Sequence, residues 1–138
     1  MQQEEKYILL IEDVTAHAEL FILTMERSGP PVRIDVIGNG QTALETFKKI
    51  AEDQAPRPDL VILDLNLPLL SGHDLLDYIR STSSIKDLPV VISTCSAAPS
   101  DVERSKAKGI SGYLVKPIVI DEIREILGQV FNDSNAGA

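Results

Sequence analysis

At 138 residues, 43% of them hydrophobic, the chain suits one domain built around one sizeable core. Thirteen basic against 21 acidic residues leave a net charge of −8, which argues against DNA, RNA or an anionic membrane as partner and favours a cation or a basic protein patch. No apolar run approaches the ~20 residues that span a bilayer, the opening Met1 to Lys6 is too polar for a secretion signal, and the single cysteine cannot close an internal disulfide, so a soluble cytoplasmic protein is expected.

In chain order, Tyr7 to Ile11 form an apolar run that ends at Glu12-Asp13. The period then changes: Val14, Ala18, Phe21, Ile22 and Met25 share one helical face, and Gly29-Pro30-Pro31 closes that helix. Val32, Ile34 and Val36 alternate with Arg33 and Asp35, as in a strand with one covered face. Gly38-Asn39-Gly40 then turns the chain into a helix carrying Ala43, Leu44, Phe47, Ile50 and Ala51. After a polar connection from Ala51 to Pro58, Leu60 to Leu63 are continuously apolar, the pattern of a central parallel strand covered on both faces. That strand delivers Asp64 at its end, and Pro68 stops further ladder pairing.

Ser71-Gly72 leads into a helix with Leu75, Leu76 and Ile79 inward, and Val90-Val91-Ile92 is another buried strand, ending in Ser93-Thr94-Cys95-Ser96. Pro99 to Lys108 reads as a weak helix whose inward contacts are Val102 and small residues such as Ala98 and Ala107, so loose packing is expected. Gly109 ends it. Gly112 to Val115 form a short strand followed directly by Lys116-Pro117, and Ile120, Ile123, Leu127, Val130 and Phe131 line a final helix. Residues 132–138 are polar and are expected to form a disordered tail. Five strand and helix pairs in strict alternation imply an α/β fold, a doubly wound five-stranded parallel sheet with right-handed crossovers.

One edge of that sheet collects the chemistry. Strand one ends in Glu12-Asp13, strand three in Asp64, strand four in Thr94 and strand five in Lys116. Ligands bind at the carboxyl ends of strands in such sheets. Three crowded carboxylates repel, and the arrangement makes sense if a hard cation such as Mg²⁺ sits among them with oxygen ligands. The cation accounts for the acids but not for Lys116. An ammonium and a hydroxyl facing a metal-bound carboxylate suit phosphoryl transfer, in which negative charge spreads over three equatorial oxygens. The Asp64 carboxylate is then the acceptor, giving an aspartyl phosphate.

These residues as a set resemble the receiver domains of two-component response regulators, over about residues 6–131. The resemblance implies the flavodoxin-like strand order 2-1-3-4-5, Mg²⁺ held by Glu12, Asp13, Asp64 and the backbone carbonyl of Asn66, and phosphoryl transfer to Asp64 from a histidine kinase. It implies further that Thr94 and Lys116 bond the phosphoryl oxygens, that Thr94 and Tyr113 form the switch pair, and that the Lys116-Pro117 bond is cis. A narrower likeness, carried by Asp64-Leu65-Asn66-Leu67-Pro68 and the long 51–58 connection, is to stand-alone regulators paired with phytochrome-type kinases. Because the receiver accounts for the whole chain, the expected output is a change in protein contacts, with a homodimer as one form of it.

Ser71 stands where many receivers carry Asp, and Cys95 beside Thr94 reads as a small residue keeping the path to Asp64 open rather than a redox group. His17 and His73 read as solvated helix residues, and two histidines do not build a zinc site. Two rival functions remain. A haloacid-dehalogenase-type phosphatase also forms an aspartyl phosphate but wants a second Asp two residues on, where this chain has Asn66. A flavin binder would place phosphate after strand one, where Glu12-Asp13 repels it.

Overall fold

The computed structural model describes residues 5–136. Strands β1 (Lys6–Ile11), β2 (Val32–Ile37), β3 (Leu60–Leu63), β4 (Val90–Thr94) and β5 (Gly112–Val115) alternate with helices α1 (Thr15–Ser28), α2 (Gly40–Ala51), α3 (Gly72–Ser81), α4 (Pro99–Lys106) and α5 (Ile120–Ala136). All strand pairs are parallel, in the order β2-β1-β3-β4-β5. This is the doubly wound arrangement that the alternation predicts.

The two faces of the sheet explain the continuous apolar runs. Leu9, Ile11, Val61, Leu63, Val90 and Ile92 point to the side of α2 and α3, where Phe47, Leu75, Leu76 and Ile79 are fully buried. Ile8, Leu10, Leu60, Ile62 and Val91 point the other way, onto Phe21 and Met25 of α1 and Ile123 and Leu127 of α5. Each such side chain contributes about 1.5–3 kcal/mol on burial. A one-residue slip of β3 would keep both faces apolar, so register there is set by its flanks, where Asp64 ends the run and Asp59 accepts the Tyr7 N–H at 2.7 Å.

Local signals place α3 with some accuracy. Ser71 accepts from the Asp74 N–H while the Asp74 carboxylate accepts from the Ser71 N–H, a reciprocal capping box. The departure at position 71 is therefore a working N-cap. Gly72 follows because a Cβ there would run into the Asp64 carbonyl and the Leu65 Cα, so only glycine lets α3 start against the end of β3.

Several expectations are corrected. Val14 is not on the buried face of α1 but is its N-cap, 40% exposed. Val36 is 42% exposed on the edge strand β2, whereas Val32, Ile34 and Ile37 of the same strand pack against the core. The final helix does not stop at Phe131 but runs to Ala136, since no glycine or proline interrupts 129–136; the rest of the expected tail, 137–138, lies outside the described residues, as do residues 1–4. Helix α4 ends at Lys106, with Lys108 beyond it and Gly109 at φ +71 reversing the chain.

Helix α4 is held by polar contacts rather than by the alanines expected to face inward. Ala98 and Ala107 are exposed, Val102 is half-buried, and Ser105 is the buried residue of the helix. Toward α3, Asp101 meets His73 at 2.9 Å, Arg104 and the following Lys108 meet Asp77 at 3.3 and 3.1 Å, and Arg80 donates to the Lys108 carbonyl at 2.6 Å. The exposed Arg104 and Lys108 pairs with Asp77 contribute about 0–1 kcal/mol each, so apart from the buried His73 contact α4 is weakly attached, as its composition suggested. The Ser105 hydroxyl is buried without a hydrogen-bond partner among the described residues. Ser105→Ala is expected to raise stability by about 1 kcal/mol, because an unsatisfied buried hydroxyl is removed and a better helix former replaces it. An unchanged or lower denaturant midpoint would count against this reading of the hydroxyl.

Candidate functional site

The chain leaves β1 toward β2 on one side and returns to β3 on the other, so the crevice at the β1/β3 carboxyl ends is the topological switch point of the sheet. The backbone carries the site residues just past the ladders. The Glu12 N–H donates to the Ile37 carbonyl at 3.0 Å, the Asp64 N–H to Ile11 at 3.1 Å and the Lys116 N–H to Thr94 at 2.8 Å. Three site residues from three segments are thus positioned by sheet hydrogen bonds rather than by loops.

Their side chains converge. Lys116 Nζ donates to Asp64 Oδ2 at 2.8 Å, to Glu12 Oε1, and to His17 Nδ1 at 3.0 Å. Glu12 and Asp64 are buried, and the Lys116 side chain is 9% exposed. Asp64 Oδ1 accepts the Asn66 N–H at 2.9 Å, and the Asn66 side-chain amide donates to the Thr94 hydroxyl at 3.3 Å. Glu12 Oε2 accepts the Val14 N–H at 3.2 Å, supplying the first turn of α1 with the acceptor that Val14 lacks. Lys116-Pro117 is cis.

Burial pushes the Asp64 carboxyl up, but hydrogen bonds from Lys116 and the Asn66 amide, the nearby ammonium charge and the Thr94 hydroxyl outweigh it and hold the group below the usual aspartate range. For Glu12 burial wins: the Lys116 and Val14 bonds offset it only in part, and the carboxyl is held above its ordinary value. Burial presses the Lys116 ammonium down, yet its bonds to the two carboxylates leave it above the ordinary lysine value. The cleft at neutral pH therefore contains a charged lysine and an ionised Asp64.

At the mouth of the cleft the exposed Asp13 meets the buried Glu12 and Asp64, and each of the three offers a carboxylate oxygen, these atoms lying within 4.8 Å of one another. An all-oxygen donor set of this charge suits a hard divalent cation, with waters completing the shell. Thr94 is fully buried beside it.

Both histidines depart from expectation. His17 is half-exposed and bonded to Lys116, and His73 is buried with Nε2 2.9 Å from Asp101 Oδ1. From Asp101 a polar path leads back to the site: Ser96 Oγ donates to Asp101 Oδ2, the Tyr113 hydroxyl donates to the Ser96 carbonyl at 2.8 Å, and the Ser96 N–H donates to the Thr94 hydroxyl at 3.4 Å. Thr94 and Tyr113 are thus joined through Ser96. Helical periodicity carried no sign of either histidine contact, because each partner lies on a distant segment. Cys95 is exposed and, with His17, Phe21, Lys116 and Ile118, borders a cavity of about 350 Å³ beside the cleft. In the loop after Pro68, Leu69 is 93% exposed at φ +70, a conformation that a branched side chain adopts at a cost of about 1–2 kcal/mol.

The family model described as the response regulator receiver domain matches residues 8–128. Response regulator Rcp1 of Synechocystis sp. is 33% identical over 112 residues, 80% of this chain and 76% of its own. The Mn²⁺-bound structure of Rcp1 has a TM-score of 0.75 at 29% identity and covers 91% of both chains. The bacteriophytochrome response regulator RtBRR has a TM-score of 0.79 at 30% identity, over 92% of this chain and 78% of that one. The phosphorylated cyanobacterial phytochrome response regulator RcpA has a TM-score of 0.77 at 29% identity, over 92% and 91%.

Proposed function

Since the chain belongs to the response regulator receiver domain family, whose members take phosphoryl groups from histidine kinases, we propose that it is a phosphorylation switch whose phosphoacceptor is Asp64 and whose cation is Mg²⁺. The observation that carries this reading is the Lys116 ammonium 2.8 Å from Asp64 Oδ2, within a trio of carboxylates at the switch point of the sheet.

An Asp64 carboxylate oxygen attacks phosphorus, the P–N bond of the phosphohistidine breaks with its electron pair left on the histidine nitrogen, and an O–P bond forms. Lys116 and the Thr94 hydroxyl then donate to the phosphoryl oxygens. Glu12, Asp13 and Asp64, with the Asn66 backbone carbonyl, are the residues that would hold Mg²⁺. When bound, the cation supplies positive charge opposite the phosphoryl oxygens. In the return step water attacks phosphorus and inorganic phosphate leaves, restoring the Asp64 carboxylate.

The output is a rearrangement at α4. Drawing the Thr94 hydroxyl toward the phosphoryl group weakens its bonds to Asn66 and Ser96, and the Tyr113 ring turns inward only by giving up the Ser96 carbonyl. Because α4 rests on weak polar contacts, its position responds to modest differences, and a shift from about 1:99 to 99:1 needs ~5.5 kcal/mol of differential interaction. The likeness to RcpA and RtBRR supports a phytochrome-type kinase as donor. Asn66 at the place of a second Asp disfavours the dehalogenase-type phosphatase.

Incubation with phosphoramidate and Mg²⁺ tests the reading: one phosphate should add to the intact mass, and EDTA should prevent it. Sedimentation of the same sample reads the output. Thr94→Ala should still take up phosphate but show no change in self-association or kinase binding, whereas equal responses from both proteins would rule out the Thr94 to Tyr113 route.

A further inference from the structure

We propose that His17 is a positioning residue for Lys116, its neutral imidazole holding the ammonium through Nδ1 when the carboxylates beside it are given over to a divalent cation. The inference rests on the Mg²⁺ reading above and adds to it a residue from outside the strand ends.

An ammonium has three donors and accepts nothing. Those of Lys116 are matched by Asp64 Oδ2, Glu12 Oε1 and His17 Nδ1, the last at 3.0 Å. Because Lys116 can only donate, Nδ1 is the unprotonated nitrogen and the proton of the ring lies on Nε2. Two of the three acceptors thus belong to the carboxylate trio, and one is a neutral nitrogen 3.9 Å from Glu12 Oε1 that adds no negative charge.

The acceptors differ in what a cation does to them. Glu12 and Asp64 oxygens shared with a hard cation become poorer acceptors for an ammonium, and the added positive charge opposes it. An imidazole nitrogen is left alone, since Mg²⁺ prefers oxygen ligands. His17 is therefore worth more to Lys116 in the cation-bound state than in the free protein, so its loss should appear in cation affinity. The backbone under it is firm: the His17 N–H donates to the Val14 carbonyl at 3.0 Å, and its neighbours Ala18 and Phe21 are buried against the sheet.

Calorimetric titration of the intact protein with MgCl₂ tests this. His17→Leu should weaken Mg²⁺ binding about fivefold, less than the full worth of a hydrogen bond to a charged group because that bond is present with and without the cation. His17→Asn should restore most of the affinity, because its Oδ1 can accept near the place of Nδ1. In a Lys116→Met background, His17→Leu should change nothing, as there is no ammonium left to hold. Thermal melts in EDTA confirm that each variant is folded. Unchanged affinity in His17→Leu, or the same loss in the Lys116→Met background, would overturn the proposal while leaving the metal reading intact. Failure of the wild type to bind Mg²⁺ would overturn the metal reading and this proposal with it.

Discussion

Asp64→Asn should abolish labelling by a small phosphodonor in the presence of Mg²⁺, with no phosphate detectable by intact mass where the wild type takes up one. The amide is a poor nucleophile, and it removes one charge from the trio of carboxylate oxygens that lie within 4.8 Å of one another. The Asn66 N–H and Lys116 bonds can still be accepted by the amide oxygen in part, so the fold should survive and a melt should show a cooperative transition. Neighbouring hydroxyls offer an internal control. Ser93 and Thr94 are both buried beside the cleft, and a fragment spectrum placing phosphate on either in the wild type would defeat the assignment to Asp64.

The second large effect concerns Lys116. Repulsion among three carboxylates suggested a strained metal-free site; in the structure Lys116 pairs with two of them, and Asp13, the third, is exposed. The strain is thus held in check by the lysine. Lys116→Met should destabilise the metal-free protein by about 3 kcal/mol, the lower end of what breaking a buried pair costs, because two buried carboxylates are left facing each other without a counter-charge. Saturating Mg²⁺ should recover most of that loss, since it favours the folded state to which it binds.

The pH dependence of the Asp64 contribution should invert as well, while Glu12, already held above its ordinary value, is raised further. In the wild type Asp64 is held below its ordinary value, so its contribution is present above the unfolded pKa and is lost as pH falls through the folded one. In Lys116→Met the carboxyls of Glu12 and Asp64 are both raised by burial and mutual repulsion. The folded state then binds more protons than the unfolded one, and stability is regained as pH falls from neutrality toward about 4. Urea melts at neutral pH and near the carboxylate range, with and without Mg²⁺, measure all of this. A variant as stable as the wild type in EDTA would mean that the ammonium does not compensate the acids.

The strands, their parallel doubly wound arrangement and the set Glu12, Asp13, Asp64, Thr94 and Lys116 could be read from the chain alone. A run that is apolar at every position has to be covered on both faces, and the first charged or hydroxyl residue after it has to stand at the sheet's carboxyl edge. Contacts between distant segments could not be read in this way. His17 and Lys116 are 99 positions apart, and His73 and Asp101 are 28 apart on different helices. A polar residue on a helix gives the same local pattern whether it faces water or a partner. Likewise Val36 belongs to an alternating pattern as regular as that of a covered strand, yet on the edge strand β2 it is exposed while Val32 and Ile34 pack against the core. Periodicity is set by backbone geometry within one element, whereas the burial and pairing of a given side chain depend on which other element lies across from it, and that is decided by the packing of the whole chain.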